Sequence, residues 1–411
     1  MNLFRCTCEV RLSVSLPCCV AICLAVVLGG QLAQCSDEFG ILDLRKEEIT
    51  DDIISQIQND PTVRFLLLEG STIDDGGLKK LGKLPALDSL ALSNTKVTND
   101  GIQSLVRSCP GLRSLKLAHT SIGDTAVAAI STMPHLQELD LSSTAITDQA
   151  FQSLNTMTGL MMLSVNNNRL SGSGLARLHH LPNLRSLEAN GVSCRGSWKS
   201  SDSFPRTLTG LNLNHAKIAR ETVMSVGRLS NLRLLSLQYA EIDGEFTELK
   251  ELPELEHVYL DGTKTGSSTV GYLQNATKLR ALSLRGTRID DSIAQQLVLL
   301  PSLQYLDLGD TAVSDNALRG VGKLRNLREL VIDRTKITDA GMKHLTTCSN
   351  LEVLVLCLTD ITDRGSIVVR GLRSLRRLDM QGTLITELEL EQLRKALPQC
   401  RVDHCPRSLL R

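Results

Sequence analysis

The sequence predicts an α/β protein: a right-handed solenoid bent into a horseshoe, with a parallel β-sheet on the concave face and helices on the convex face. Three observations carry that expectation. First, the phrase Leu-x-x-Leu-x-Leu-x-x-Thr-x-Ile-Thr-Asp recurs with a period of 24 residues. Its units start at Phe39, Val63, Leu87, Leu112, Leu136, Leu160, Leu184, Leu208, Leu232, Leu255, Leu279, Leu303, Leu327, Leu351 and Leu375, fifteen in all, and the spacing never leaves 23 to 25. Second, the hydrophobic period changes inside each unit: Leu136, Leu139 and Leu141 alternate as in a strand, whereas Ile146, Phe151 and Leu154 recur as on a helix. Third, one unit is too small to bury its own leucines, so units must stack strand on strand, joined by right-handed crossovers.

Taken in order, residues 1–35 form a targeting segment. Arg5 and Arg11 precede an uncharged stretch from Leu12 to about Ala33. Three fates are open to it: a cleaved secretory signal ending near Cys35, an uncleaved anchor long enough to span a bilayer, or a lipoprotein signal presenting Cys35. Each places the rest of the chain outside the cytoplasm, as a secreted, periplasmic or membrane-held protein. Residues 36–62 read as an N-terminal capping repeat whose Arg45, Lys46, Glu47 and Glu48 blunt the sheet edge. Residues 63–398 are the repeats proper. Residues 399–411 supply a C-terminal cap with a short strand at CRVDH, followed by a tail.

Within a unit, Thr147 and Asp148 suit the start of the helix, with Ile146 packing back as a hydrophobic staple. The ninth position is Thr95, Thr120, Thr144, Asn168, Thr263, Thr287, Thr311, Thr335, Thr359 and Thr383, a column of small polar groups expected to satisfy the backbone of the inner turn. Val192, Ala216 and Ala240 interrupt that column. In the unit at Leu184 the helix gives way to VSCRGSWKSSDSFPRT, where Trp198 and Phe204 are expected to fill the missing helix's space.

These units resemble leucine-rich repeats, of the kind with Thr where many families carry Asn or Cys and with an Ile-Thr-Asp-x-Gly-Leu helix start. LRELVIDRTKITDAGMKHL at 327–345 is a near-ideal copy. The pattern is similar to secreted repeat proteins of planctomycete-like bacteria and, more distantly, to the cysteine-containing repeats of F-box adaptors. The resemblance implies a horseshoe fold and says little of function, because such repeats serve many unrelated recognition tasks.

Composition narrows the field. With 45 basic and 45 acidic residues the net charge is zero, and aromatics are 3% of the chain, so neither an electrostatic funnel nor a stacking platform for nucleic acid is expected. The sequence carries no phosphate-cradling loop, no His-Glu-x-x-His and no nucleophile motif, and it calls for no cofactor or metal. His119 and His215 share a column four strands apart, about 19 Å, too far for one metal ion. Asp140 and Glu188 lie two strands apart, about 9.6 Å, near the limit for a glycosidase pair, but on an open sheet without a pocket. Cys109 and Cys348 read as buried fillers, while Cys400 and Cys405 could close a local disulfide in an exported domain.

What remains is the concave face. In its middle units Asn166, Glu188, Asn190, Asn212, Asn214, Gln238, Tyr259 and Asp261 occupy columns expected to point to solvent, with His215, Tyr239 and His257 beside them. Amides and aromatics in one run are the composition binding surfaces favour. Asp261 with Arg285, and Asp310 with Arg334, are expected to pair between neighbours. The function that follows is a non-catalytic scaffold binding a protein or glycan, touching membrane only through its N-terminus. The alternative is a substrate-recognition adaptor of the ubiquitin-ligase kind, for which no F-box-like helical region precedes the repeats.

Overall fold

A computed structural model describes residues 39–194, 203–405 and 407. The targeting segment, Cys35 and Trp198 lie outside the described residues. Sixteen three-residue strands form one parallel sheet in chain order, from Ile41–Asp43 to Arg401–Asp403. The 24-residue period sets the register. Leu282 pairs with Leu306, Leu306 with Leu330, and Leu330 with Leu354, so the fourth position of each unit stacks on its copy. These leucines join those of positions 1 and 6 and the helix residues behind them in a single continuous core. Among the described residues no helix is long and apolar enough to cross a membrane.

Among the described residues the segments behind the strands vary in start and length: the helix expected to begin at Thr147 and Asp148 begins at Ala150, whereas Thr98 caps its helix as expected. Asn99–Ser108 and Glu387–Ala396 are ten-residue α-helices, whereas the unit at Leu232 returns through the short 3-10 turn Thr247–Glu251. Phe204 is fully buried, as expected of a residue replacing a helix, and its N–H donates to Ser225 Oγ at 2.9 Å. The N-terminal cap departs from expectation at its first residue, since Phe39 stands 62% exposed.

The ninth-position threonines work mainly within their own units. Thr95, Thr120, Thr263 and Thr311 each donate to the carbonyl of position 6, just beyond the strand's end, at 2.6 Å. Only Asn168 is long enough to reach across, donating to Leu141 O at 2.7 Å while its Oδ1 accepts from Thr144 N at 2.9 Å. Thr311→Val should therefore cost about 1 kcal/mol, the net worth of one hydrogen bond, because the Leu308 carbonyl loses its donor. Urea melts of the two proteins would measure it, and an unchanged midpoint would assign the threonine column some other role.

The Thr-Asp pair at the helix start divides its labour. Thr98, Thr338 and Thr362 cap their own helices, each hydroxyl accepting from a backbone N–H in the first turn. The aspartate turns away from its own helix to the next unit. Asp339 accepts from Thr362 N at 2.8 Å and from Thr362 Oγ1 at 2.6 Å, and Asp75, Asp124, Asp315 and Asp363 do the same for Thr98, Thr147, Thr338 and Thr386. Asp148, expected to cap a helix, instead holds Ser171 of the following unit.

This stitching lapses in the units at Leu184, Leu208 and Leu232, where a second sheet replaces it. Ser193–Cys194, Lys217–Ile218 and Glu241–Ile242 pair in parallel. Lys217 N donates to Val192 O at 3.1 Å, and Glu241 N to Ala216 O at 2.9 Å. Backbone pairing that is a single bridge elsewhere, as at Ser314 with Lys336, here covers two residues per unit without the side-chain clamp.

Cys109, Cys194 and Cys348 are buried, and burial pushes each thiol's pKa up, for Cys348 to about 11. No disulfide joins Cys400 to Cys405, a pairing the sequence left open. The extended strand Arg401–Asp403 lies between them and keeps them apart, with Cys400 packed against the core.

Candidate functional site

On the sheet face turned away from the helices, side chains of positions 3, 5 and 7 emerge. Position 7 has a particular need. The backbone N–H groups of positions 6 and 8 donate forward to the next strand, as Leu141 N does to Ser164 O at 2.8 Å and Ser143 N to Asn166 O at 2.7 Å. That of position 7 faces the preceding unit, past the end of its strand, and must find a side-chain acceptor.

The middle amides meet that need. Asn190 N donates to Asn166 Oδ1 at 2.9 Å, Asn214 N to Asn190 Oδ1 at 2.8 Å, and Gln238 N to Asn214 Oδ1 at 2.7 Å. The line continues as Gln238 Nε2 donates to Asp261, whose Oδ1 accepts from Arg285 N at 3.2 Å. Elsewhere a carboxylate at position 5 does the same work inside one unit: Ser142 N donates to Asp140 Oδ1 at 2.9 Å, and Gly309 N to Asp307 Oδ1 at 2.7 Å. Glu188 is held by Ser164 Oγ at 3.2 Å and Asn166 Nδ2 at 3.1 Å. Asp140 and Glu188 are therefore both engaged within the sheet.

Two residues expected to face solvent do not. Tyr259 is 8% exposed and Asp261 7%. Burial raises the Tyr259 phenol above its ordinary range, with the Asp261 charge adding to the effect. His257 is half-buried, and desolvation lowers its pKa.

The expected charge pairs are also redrawn. Arg285 extends away from Asp261, with Nε on Asp307 at 3.0 Å and both Nη atoms on Asp333, two units on. Desolvation pushes the Asp307 carboxyl up to about 6 in spite of that guanidinium. Asp310 and Arg334 form no ion pair among the described residues, and Arg334 Nε lies 3.9 Å from Asp333. The fork of Arg285 reaches a bidentate partner in Asp333, which a partner on the adjacent rung does not offer.

Position 8 is the feature the sequence reading passed over. Every unit turns there through the left-handed region, with φ from +54° at Ser143 to +75° at Gly191. Glycine is at ease in that conformation and His, Tyr, Arg and Leu are not. The glycines at 70, 191, 262, 286 and 382, all at position 8, were the available signal. His215 and Tyr239 are successive members of this column. Their rings stack at 5.2 Å between centroids and 7° between planes, and Tyr239 is 55% exposed. At the next position, a Cβ on Gly262 would overlap the Tyr239 ring, so the glycine lets that ring lie down over the backbone. The pair stands beside the amide line, with Asn214 and Gln238 immediately before His215 and Tyr239 in sequence.

Residues 132–154 and 325–385 match leucine rich repeat family models. An internalin from Listeria monocytogenes shares the fold at 24% identity and a TM-score of 0.59, covering 80% of this chain and 88% of that one. The chain carries the leucine-rich-repeat fold. A leucine-rich-repeat protein of Leptospira interrogans is similar at 19% identity and a TM-score of 0.58, over 90% of this chain and 93% of that one. A TDR receptor is similar at 17% and 0.53, over 87% and 62% respectively. No curated protein sequence matches the chain. At these identities the likeness is one of fold. Within that leucine-rich-repeat frame Asn166, Asn190 and Asn214 each spend Oδ1 on the backbone, while His215 and Tyr239 have no such duty.

Proposed function

We propose that the chain is a non-catalytic, extracytoplasmic interaction protein that binds a protein or glycan partner on the concave sheet face of its middle units. The exposed His215–Tyr239 stack is the observation that carries the reading. Two aromatic rings held rigidly by backbone, in a conformation unfavourable to both residues, lose little entropy on binding and present both apolar faces and polar edges. The side-chain amides of Asn190 and Asn212 beside them supply hydrogen bonds. The same units exchange side-chain stitching for a second sheet, so the departures from the repeat coincide with the stack. Solved structures of this fold include one described as an internalin and one as a receptor, which is consistent with a recognition role. The targeting segment at 1–35 supports an extracytoplasmic setting.

The test compares the chain with a variant carrying Asn212→Ala, His215→Ala and Tyr239→Ala, using a partner captured from the native host's exported fraction. Binding should weaken by at least about 2 kcal/mol, the scale of a lost interface anchor, while the melting curve stays nearly unchanged. Tyr259 is left in place because its removal would empty a buried site. Undiminished binding by the triple variant would put the contact surface elsewhere.

A further inference from the structure

The second residue of each unit forms a column at the entrance to the strands, on the far side of the sheet from the His215–Tyr239 stack. In it acids stand between arginines: Arg64–Asp88–Arg113, Arg233–Glu256–Arg280 and Arg328–Glu352–Arg376. Asp88 is reached by Arg64 Nε at 2.8 Å and Arg113 Nε at 3.8 Å, Glu256 by Arg233 at 3.6 Å, and Glu352 by Arg328 at 2.8 Å. One triple keeps a short neutral residue at its centre. In Arg185–Thr209–Arg233 the central residue carries no charge, although the backbone rungs are the same, Thr209 N to Arg185 O and Arg233 N to Thr209 O, each 2.8 Å.

These three residues, with Thr207, Asn231 and Glu254, line an open cleft. Its own groups leave the centre unfilled. Arg185 makes one contact, Nη1 to Thr207 O at 3.2 Å, and has no carboxylate partner among the described residues. The Glu254 carboxylate is turned to Lys278 Nζ at 2.6 Å. The hydroxyls of Thr207 and Thr209 donate to Leu184 O and Arg185 O. Two guanidiniums about two rungs apart, roughly 9.6 Å, thus flank a short neutral side chain at the position that Asp88, Glu256 and Glu352 fill with an acid and Gln304 with an amide.

We propose that this cleft is a carboxylate subsite: an acidic side chain of a bound peptide enters over Thr209 and takes between Arg185 and Arg233 the place Asp88 takes between Arg64 and Arg113. Each guanidinium has N–H donors left for one carboxylate oxygen. Glu254 on the flank and the zero net charge of the chain favour a single acid over a polyanion. This goes beyond the concave-face reading, since the cleft and the stack share no residue, and the triple variant that tests the stack leaves the cleft intact.

Thr209→Glu supplies the missing acid from within, in a form the column already tolerates at Glu256 and Glu352. The full chain would be titrated at low salt with a rhodamine-labelled Gly-Ser-Asp-Ser-Gly peptide and its Asn counterpart, followed by fluorescence anisotropy. The Asp peptide should bind about fivefold or more tightly than the Asn peptide, a preference on the scale of one charge-assisted contact. Arg185→Gln and Thr209→Glu should each abolish that preference, with the melting curve of the glutamate variant not lowered. Equal binding of the two peptides by the native chain would overturn the proposal, and so would an Asp preference that survives Thr209→Glu. Preferential binding of a heparin oligosaccharide, displaced by neither peptide, would overturn the choice of a peptide acid.

Discussion

Leu306→Ala is expected to cost about 2–5 kcal/mol of folding stability, the range for truncating a fully buried leucine where the surroundings cannot collapse. Leu306 has no exposed surface and lies in register between Leu282 and Leu330. The cavity would open toward both neighbours at once, and the parallel rungs, about 4.8 Å apart, cannot close over it without breaking register. Because a solenoid's stability is a sum of units and the interfaces between them, one truncation weakens two interfaces. Urea denaturation should show a lower midpoint with the slope of the transition nearly unchanged. A neutral Leu306→Ala would mean that position 4 does not face the core.

That position 4 faces the core was legible because a period of 24 residues acts on every unit alike. Strand-then-helix order, the stacked leucines and the threonine column all follow from patterns inside a single unit. What was not legible involves the unit next door. Asp148 looks like a helix cap when its own repeat is read alone, and becomes a clamp on Ser171 once the rise between units brings the two together. Tyr259 and Asp261 occupy columns that alternate outward, yet both are buried, Tyr259 between the rungs of Ser236 and Ser283 and Asp261 bonded to Gln238 and Arg285. Arg285 bonds Asp307 on the next rung and reaches on to Asp333 two rungs away, a choice made by guanidinium geometry that sequence spacing does not encode. The middle amides read as a wet surface because the orphaned N–H of position 7 is visible only when hydrogen bonds are followed from strand to strand. That N–H leaves the Asn side chains half committed to the fold, and makes His215 and Tyr239 the better candidates for contact with a partner.

The clamp between units also explains a glycine of the repeat, and a double-mutant cycle should expose it. A Cβ on Gly365 would overlap Asp339 Oδ1 of the preceding unit, and Gly101, Gly174 and Gly341 stand in the same relation to Asp75, Asp148 and Asp315. The helix Asp363–Val369 would otherwise gain from alanine, which exceeds glycine by about 0.5–1 kcal/mol in a helix interior. Gly365→Ala is nonetheless expected to destabilise by about 2–3 kcal/mol, because the methyl group must push aside a carboxylate that accepts from both Thr362 N and Thr362 Oγ1. Asp339→Ala alone should cost about 1–3 kcal/mol, since it leaves the Thr362 N–H without its acceptor. In the Asp339→Ala background the carboxylate is gone, and the new Cβ meets only Ile361 Cγ2 at 3.0 Å and the Cα of residue 339 at 3.3 Å, contacts that a small shift relieves. There Gly365→Ala should be nearly neutral or stabilising, so the coupling between the two sites would be on the order of 2 kcal/mol, well above what independent positions show. Thermal or urea melts of the four proteins supply the cycle. If Gly365→Ala costs the same with and without Asp339, the glycine serves some purpose other than room for the clamp.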